Sequence, residues 1–237
     1  MANFETHFKG SVVTSAALGS VILATSSATP TDTLLLFVIG SLAGLLPDLD
    51  ADKSRSLNCL FTVFALCIGI CLPVIWSLNS LTEIWLSAIS VYLVLMYALR
   101  PIFERFTIHR GASHSLLNVV MITLLAVNLA ILSGKSSHFA LLCGVAVIVG
   151  MLTHLILDEC YSVDINNNEI KASFGSALKP MAINSPMACL LQLGVIGLSI
   201  YMLIPHQAAL LGAVKGWHYE LARLPLLPNA DIIQRWL

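Results

Sequence analysis

Residues 139–157 read FALLCGVAVIVGMLTHLIL, an apolar run in which His154 is the only His, Asp, Glu, Lys or Arg. A helix needs about 20 predominantly apolar residues to cross the hydrocarbon core of a bilayer. The run approaches that length, and Asp158 follows it directly. This stretch therefore predicts a membrane-spanning helix that carries polar side chains toward one of its ends.

Six further segments have the same apolar character, although the second and fourth of the seven are short: Val12–Ala28, Thr33–Leu46, Leu57–Leu78, Ile84–Leu99, Ser115–Ser133 and Met187–Ile204. The composition agrees, since 57% of the residues are hydrophobic and 11% are charged, whereas soluble domains contain about 25% charged residues. Lipid-facing backbone must satisfy its own hydrogen bonds, so each segment is expected to be a helix. We predict an all-α, polytopic membrane bundle of about six or seven transmembrane helices.

Small residues in the first two segments and the composition of the C-terminus predict helix contacts and the division of the chain. Small residues in the first two segments are of the kind that lets membrane helices approach closely: Gly19, Ser20, Gly40, Ser41 and Gly44. Residues 1–204 are predicted to form the transmembrane domain, and residues 205–237 a C-terminal interfacial tail, because aromatic and basic residues are mixed there. With seven spans the tail lies on the face opposite the N-terminus; with six or eight it lies on the same face.

The connections between segments predict the orientation in the membrane. If every segment spans, the N-terminus shares one face with the longer, polar loops Pro47–Ser56, Arg100–His114 and Asp158–Pro186. That face holds most of the Lys and Arg residues, whereas the short loops of the other face hold only Lys135. The positive-inside rule then places the polar face in the cytoplasm. The net charge of −1 gives no broad basic surface, so no nucleic-acid partner is expected.

Four groups of candidate functional residues fall on that same predicted face. They are His7; Asp48 and Asp50; His109, Arg110 and His114; and His154 and Asp158. Each group alone has an ordinary explanation, as a solvated helix end or a hydrogen-bonded pair. Ionisable side chains at membrane depth are costly, however, and their convergence on one face favours a shared functional site.

The residue types in these groups suit a metal ion. His154 and Asp158 are four residues apart, so they project from one face of a helix. Imidazole together with carboxylate favours zinc, with manganese or iron as alternatives, and one carboxylate can bridge two ions. We predict one or two ions held by His7, Asp48, Asp50, His109, His114, His154 and Asp158. Five of the six cysteines are interpreted as small hydrophobic residues within or beside apolar runs, and Cys160 is an alternative ligand.

Candidate residues for catalysis and for substrate binding lie in the same loops. Arg110, Asp50 and His114 are the candidates for catalysis. The guanidinium of Arg110 would stabilise an anionic oxygen as it develops, and its planar fork suits phosphate. Lys171, Ser173 and Lys179 offer further phosphate contacts, although they also fit ordinary polar loop residues.

Three motifs carry a resemblance to a known family: LPDLD at 46–50, HRGASHS at 109–115 and THLILD at 153–158. Together they resemble the YdjM-type inner-membrane metal-dependent hydrolases, a family similar in pattern to the helical, zinc-dependent phospholipase C enzymes. The resemblance runs from His7 to about Lys179. It implies a membrane location, hydrolase activity and zinc ligation by His and Asp. No HxxxE motif is present, so one or two ions are expected here rather than three.

The leading hypothesis is therefore a membrane metallohydrolase that acts on a phosphoester, with the bilayer as its surroundings and a phospholipid as a candidate substrate. The first alternative is a non-catalytic membrane protein, or a partner subunit, with a structural metal site. The second is an ion transporter, which is disfavoured because transport sites lie near the bilayer midplane. Nothing in the sequence specifies an oligomeric state.

Overall fold

The computed structural model describes residues 3–50, 55–75, 78, 80–102, 113–164, 169–170, 175 and 178–222. Within these residues the chain forms the α-helices α1 Phe4–Ala24, α2 Pro30–Ala43, α3 Arg55–Ile75, α4 Leu81–Leu93, α5 Leu116–Leu132, α6 Ser137–Cys160, α7 Pro186–Leu203 and α8 Gln207–Ala222. One short antiparallel pair, β1 Val163–Asp164 and β2 Glu169–Ile170, follows α6. The predicted helical membrane bundle is confirmed.

Five stretches of helix are long and apolar enough to cross a membrane: Phe4–Ala24, Pro30–Asp48, Leu81–Ile102, Ser137–Cys160 and Pro186–Trp217. Two shorter apolar helices, Ser56–Gly69 and Leu116–Leu132, accompany them. The second and fourth segments are longer than the sequence indicated. A 3₁₀ turn, Leu46–Asp50, follows α2, and a π-helical stretch, Val94–Leu99, continues α4.

Side-chain caps fix where the helices that carry the polar groups begin. The Asn3 side chain accepts a hydrogen bond from the Thr6 amide and so starts α1 at Phe4, three residues before His7. The Ser115 hydroxyl accepts from the Asn118 amide and starts α5 directly after His114. Such caps satisfy amides that have no partner within the helix.

Helices α1, α2 and α6 pack closely because glycine lies at their contacts. A Cβ on Gly150 of α6 would lie 2.1 Å from the Gly40 carbonyl oxygen, and one on Gly44 would lie 1.7 Å from Ser11 Oγ. Gly19 and Ser41 are also buried, as the prediction of close contact requires. Ser20 is exposed, so the prediction was wrong for that residue: its hydroxyl bonds to the carbonyl of Ala17, one turn earlier in α1.

The remaining helices surround this three-helix unit. Helix α5 packs on α6 and on α7, and Asn118 and Asn128 of α5 hydrogen-bond to Gln192 and to the Ser199 carbonyl of α7. Helix α3 packs on α4 and on the 3₁₀ turn. We call the end of the bundle that holds the start of α1, the 3₁₀ turn, the start of α5 and the end of α6 the site end, and the opposite end the far end.

Candidate metal centre

Five predicted side chains from four separate segments meet at the site end: His7, Asp48, His114, His154 and Asp158. His7 lies near the start of α1, and Asp48 lies in the 3₁₀ turn. His114 directly precedes Ser115, the residue that caps α5. The last two turns of α6 supply the other two, which project from one helix face as predicted. The packing of α1, α2 and α6 therefore brings distant parts of the sequence to one point.

Two imidazoles and two carboxylates alternate around a common centre. His114 Nε2 lies 3.4 Å from Asp158 Oδ2 and 3.7 Å from Asp48 Oδ1. His154 Nε2 lies 3.6 Å and 3.5 Å from the same two oxygens. Zinc bonds to nitrogen and oxygen are about 2.0–2.1 Å long, which places neighbouring ligand atoms of a tetrahedron about 3.3–3.4 Å apart. The four spacings thus fit one shared ion and exceed the usual length of a hydrogen bond.

His7 extends the cluster on the other side of Asp158. Its Nε2 atom lies 3.2 Å from Asp158 Oδ1, and its ring stacks on that of His154 with centroids 3.6 Å apart. Ligand atoms of His7, His154 and Asp158 all lie within 4.8 Å of one another, as do those of Asp48, His114 and His154. The two groups share His154, and Asp158 has one carboxylate oxygen toward each side. This arrangement accommodates one ion, or two ions bridged by a carboxylate.

A hydrogen bond from His154 determines which of its two ring nitrogens carries the hydrogen and which has a lone pair. Nδ1 lies 2.7 Å from the Gly44 carbonyl oxygen, which can only accept, so Nδ1 carries the hydrogen. In the neutral ring Nε2 then bears a lone pair, and this atom is buried without a hydrogen-bond partner among the described residues. A lone pair directed at two carboxylate oxygens calls for a cation between them. The donor set therefore fits a metal ion.

Burial strengthens this conclusion. His7, His154 and Asp158 are at most 1% exposed, and His114 is 6% exposed. The buried carboxylate of Asp158 is costly unless an opposite charge compensates it, and a divalent cation would do so. The side chain of Asp48 is 24% exposed, so the cluster opens on the side of the 3₁₀ turn.

A second layer of contacts orients the cluster residues. Besides Gly44, the Ser113 hydroxyl lies 3.0 Å from His114 Nδ1, and the Ser56 hydroxyl donates to Asp48 Oδ2 over 3.4 Å. Such outer partners fix ring orientation and ligand basicity in metal sites. The roles of Ser56 and of the Gly44 carbonyl were missed from the sequence, because no spacing rule links either residue to its partner.

The other predicted site residues have different outcomes. Four of them lie outside the described residues: His109, Arg110, Lys171 and Ser173. Asp50 ends the 3₁₀ turn, and its side chain is not among those described. Lys179 is half-buried, and its carbonyl accepts a hydrogen bond from the Leu116 amide, two residues after His114. The backbone of Lys179 therefore lies beside the cluster.

The start of α5 offers no spare backbone donor to an anion. The amides of Leu116 and Leu117 donate to the carbonyls of Lys179 and Pro180, each over 3.0 Å. The amide of Asn118 donates to Ser115. An anionic group bound here would therefore depend on cationic side chains and on a metal ion rather than on free amides of the helix.

Comparison with known protein families identifies the family of this chain. The profile of the YdjM inner membrane protein family matches residues 1–167, a range that includes α1 to α6 and all five cluster residues. No curated protein and no solved structure matches the chain significantly. The match covers well over half of the sequence and ends before α7.

Proposed function

The chain belongs to the YdjM inner membrane protein family, and we propose that it is a membrane-bound, metal-dependent hydrolase of a phosphoester. The observation that carries the proposal is the buried Nε2 atom of His154, which faces Asp48 and Asp158 while Nδ1 is held by the Gly44 carbonyl. A metal cation between these atoms would make the arrangement favourable. A metal ion at this position could activate a water molecule, which is the chemistry that hydrolysis requires.

The described ligand set is His114, His154, Asp48 and Asp158, with His7 available to a second ion through Asp158 Oδ1. Zinc is the ion this set favours, with manganese or iron as alternatives. When bound, such an ion activates a water molecule for attack on a phosphoester at neutral pH. The partial exposure of Asp48 marks the side from which substrate and water would approach.

Side chains identified from the sequence would recognise the phosphoester. In this proposal Arg110 binds the non-bridging oxygens through its planar fork and stabilises the charge that develops on them. Lys171, Ser173 and Lys179 supply further contacts. Asp50, close to Asp48 in the chain, and His114 are candidates to accept or donate a proton.

The position of the cluster in the helices supports a lipid as the substrate. His154 lies six residues, or about 9 Å, before the end of α6, within a candidate membrane span. His7 lies three residues, or about 4.5 Å, inside α1. The ends of a membrane span lie closest to the headgroup phosphates, so we propose a lipid phosphoester. The bias of Lys and Arg toward this face supports an orientation toward the cytoplasm.

A second function has one observation in its favour. Two imidazoles and two carboxylates already supply four ligand atoms, which would fill the coordination of a structural zinc ion. The chain would then be a non-catalytic membrane protein or a subunit of a larger assembly. Transport is less favoured, because the cluster lies at helix ends rather than near the middle of the bilayer.

Metal-dependent turnover distinguishes these functions. The protein is reconstituted in phospholipid nanodiscs, loaded with zinc, and assayed with bis(p-nitrophenyl) phosphate and with short-chain phosphatidylglycerol. We expect hydrolysis that a chelator abolishes and added zinc restores. His154→Ala should be inactive, whereas His206→Ala, which replaces a histidine of the 3₁₀ turn between α7 and α8, should be fully active.

The structural alternative predicts a different pattern. Stoichiometric zinc that resists chelation, together with no turnover of either substrate, would support a closed site and contradict hydrolysis. If removal of zinc lowers only the melting temperature of the protein, that result would also support a structural metal site.

A further inference from the structure

Helix α8 lies beyond the residues that match the family, and its position follows from that of α7. Gln192 of α7 pairs with Asn118 near the start of α5, and Ser199 pairs with Asn128 near the end of α5. Helix α7 therefore runs from the site end toward the far end. The 3₁₀ turn Ile204–His206 then leads into α8 at the far end.

Trp217 shows where the second half of α8 lies. Its ring is 6.1 Å from that of His138, edge to face, and His138 is in the first turn of α6. His138 Nε2 lies 2.8 Å from the carbonyl oxygen of Ser27, in the turn between α1 and α2. His138 precedes His154 by sixteen residues of helix, or about 24 Å. Trp217 is therefore at the far end of the bundle.

Helix α8 thus runs across the far end instead of returning through the membrane, so only the α7 part of the apolar stretch Pro186–Trp217 crosses the bundle. Leu203, Leu210 and Trp217 all pack against the same core cluster, which includes Phe139 and Cys143 of α6. If α8 turned back alongside α6, Trp217 would lie about 15 Å deeper than residue 207 and far from the first turn of α6. Contacts from both halves of α8 to one end of the bundle exclude that course.

We infer that α8 is an interfacial helix that contacts the lipid headgroups of the leaflet opposite the metal centre. Its outer surface carries exposed apolar side chains, Leu211, Val214 and Leu221, beside exposed Lys215 and Tyr219. Aliphatic, aromatic and basic side chains on one short helix are typical of a segment that lies in the membrane interface. This inference is independent of the metal centre and of any activity.

Three native lysines test on which side α8 lies, without any substitution. Lys9 marks the site end, Lys135 marks the far end, and Lys215 marks α8; all three are solvent-accessible. Right-side-out and inverted membrane vesicles are treated with a membrane-impermeant amine reagent, and the modified lysines are identified by mass spectrometry. We expect Lys215 to be modified in the same vesicles as Lys135 and in the opposite ones to Lys9. Modification of Lys215 together with Lys9 would overturn the inference.

Contact with lipid is tested separately. In nanodiscs that contain a phospholipid with a photoreactive headgroup, we expect crosslinks to the peptide with residues 207–222. Absence of crosslinks there, with crosslinks elsewhere in the chain, would contradict the interfacial position.

The docking of α8 is tested by hydrogen–deuterium exchange. Trp217→Ala should raise deuterium uptake in α8 several-fold. Trp85→Ala, which removes an exposed tryptophan of α4, should leave uptake in α8 unchanged. Equal uptake in α8 for both variants would show that Trp217 does not hold the helix in place.

Discussion

His7 Nε2 and Asp158 Oδ1 lie 3.2 Å apart, and both side chains are buried. This pair joins the start of α1 to the end of α6, while the other oxygen of Asp158 faces His114 and His154. Asp158 is therefore the residue that all three histidines of the cluster share. Removal of its charge should affect every contact in the centre.

Asp158→Asn is expected to lose most of the bound metal. The amide has nearly the same shape, but it has lost the negative charge and one of the two ligand oxygens. Loss of a residue that only orients a ligand lowers metal affinity by about 10–100-fold. Asp158 is itself a proposed ligand, so we expect the affinity to fall by more than about 100-fold. Metal content is measured by mass spectrometry of the purified protein. Asp32→Asn, which removes a far-end carboxylate paired with Lys135, should retain full metal content. Equal metal in both variants would exclude Asp158 as a ligand.

Ser56→Ala should weaken metal binding without unfolding the protein. The Ser56 hydroxyl donates to Asp48 Oδ2 and so orients Oδ1 toward the histidines. Loss of such a partner lowers metal affinity by about 10–100-fold. Titration with a competing zinc chelator measures the change, and Ser56→Thr should restore much of the affinity. The control is Ser87→Ala, whose hydroxyl bonds only within α4; if it weakens zinc binding equally, Ser56 has no specific role.

Gly44→Ala should damage both the packing and the metal centre. The new Cβ would lie 1.7 Å from Ser11 Oγ and 2.5 Å from Ser11 Cβ, and rotation of the hydroxyl cannot relieve the second contact. Helix α1 must therefore move, and His7 lies one turn from Ser11. The Gly44 carbonyl that orients His154 would shift as well. Overpacking of this kind costs about 1–3 kcal/mol. Thermal unfolding in detergent, with and without zinc, measures the loss.

The matched control for this substitution is Gly194→Ala in α7. A Cβ at Gly194 meets no atom within 4 Å, so the change should be neutral or stabilise by up to about 1 kcal/mol. Gly44→Ala combined with Ser11→Gly should recover stability, since it removes the colliding atoms. A double variant as unstable as Gly44→Ala would show that the collision with Ser11 is not the cause.

Arg110→Ala separates metal binding from catalysis. Guanidinium has no lone pair to give to a metal, so metal content should be unchanged. If Arg110 stabilises charge in the transition state, turnover should fall by about 10²–10³-fold, and Arg110→Lys should recover only part of it. Metal analysis and complementation of a deletion strain measure the two effects. Full complementation by Arg110→Ala, with failure of His154→Ala, would favour the structural metal site.

The sequence predicts the helices and the convergence of the cluster for clear physical reasons. Hydropathy alone reveals the seven apolar segments, and their alternating direction places His7, Asp48, His114 and His154 at one end. The four-residue spacing places His154 and Asp158 on one helix face. These predictions succeed because each depends on local periodicity or on the direction of consecutive spans.

Other features depend on contacts between distant segments, which no local pattern encodes. The Gly44 carbonyl accepts from His154 only because glycines let α2 and α6 approach closely. The bond from Ser56 to Asp48 depends on how α3 follows the 3₁₀ turn. The course of α8 depends on the contact between Trp217 and His138. The sequence accordingly left the side of the C-terminal tail open.

X-ray absorption spectroscopy at the zinc edge tests the central claim, that a metal ion is held by the His and Asp cluster, most directly. The zinc-loaded protein should show only nitrogen and oxygen neighbours at about 2.0–2.1 Å, with the outer-shell scattering of at least two imidazole rings. His114→Ala combined with His154→Ala should abolish that imidazole signal. Sulfur neighbours at about 2.3 Å would instead indicate a cysteine ligand such as exposed Cys160. That result, or a wild-type protein that retains no zinc, would contradict the account.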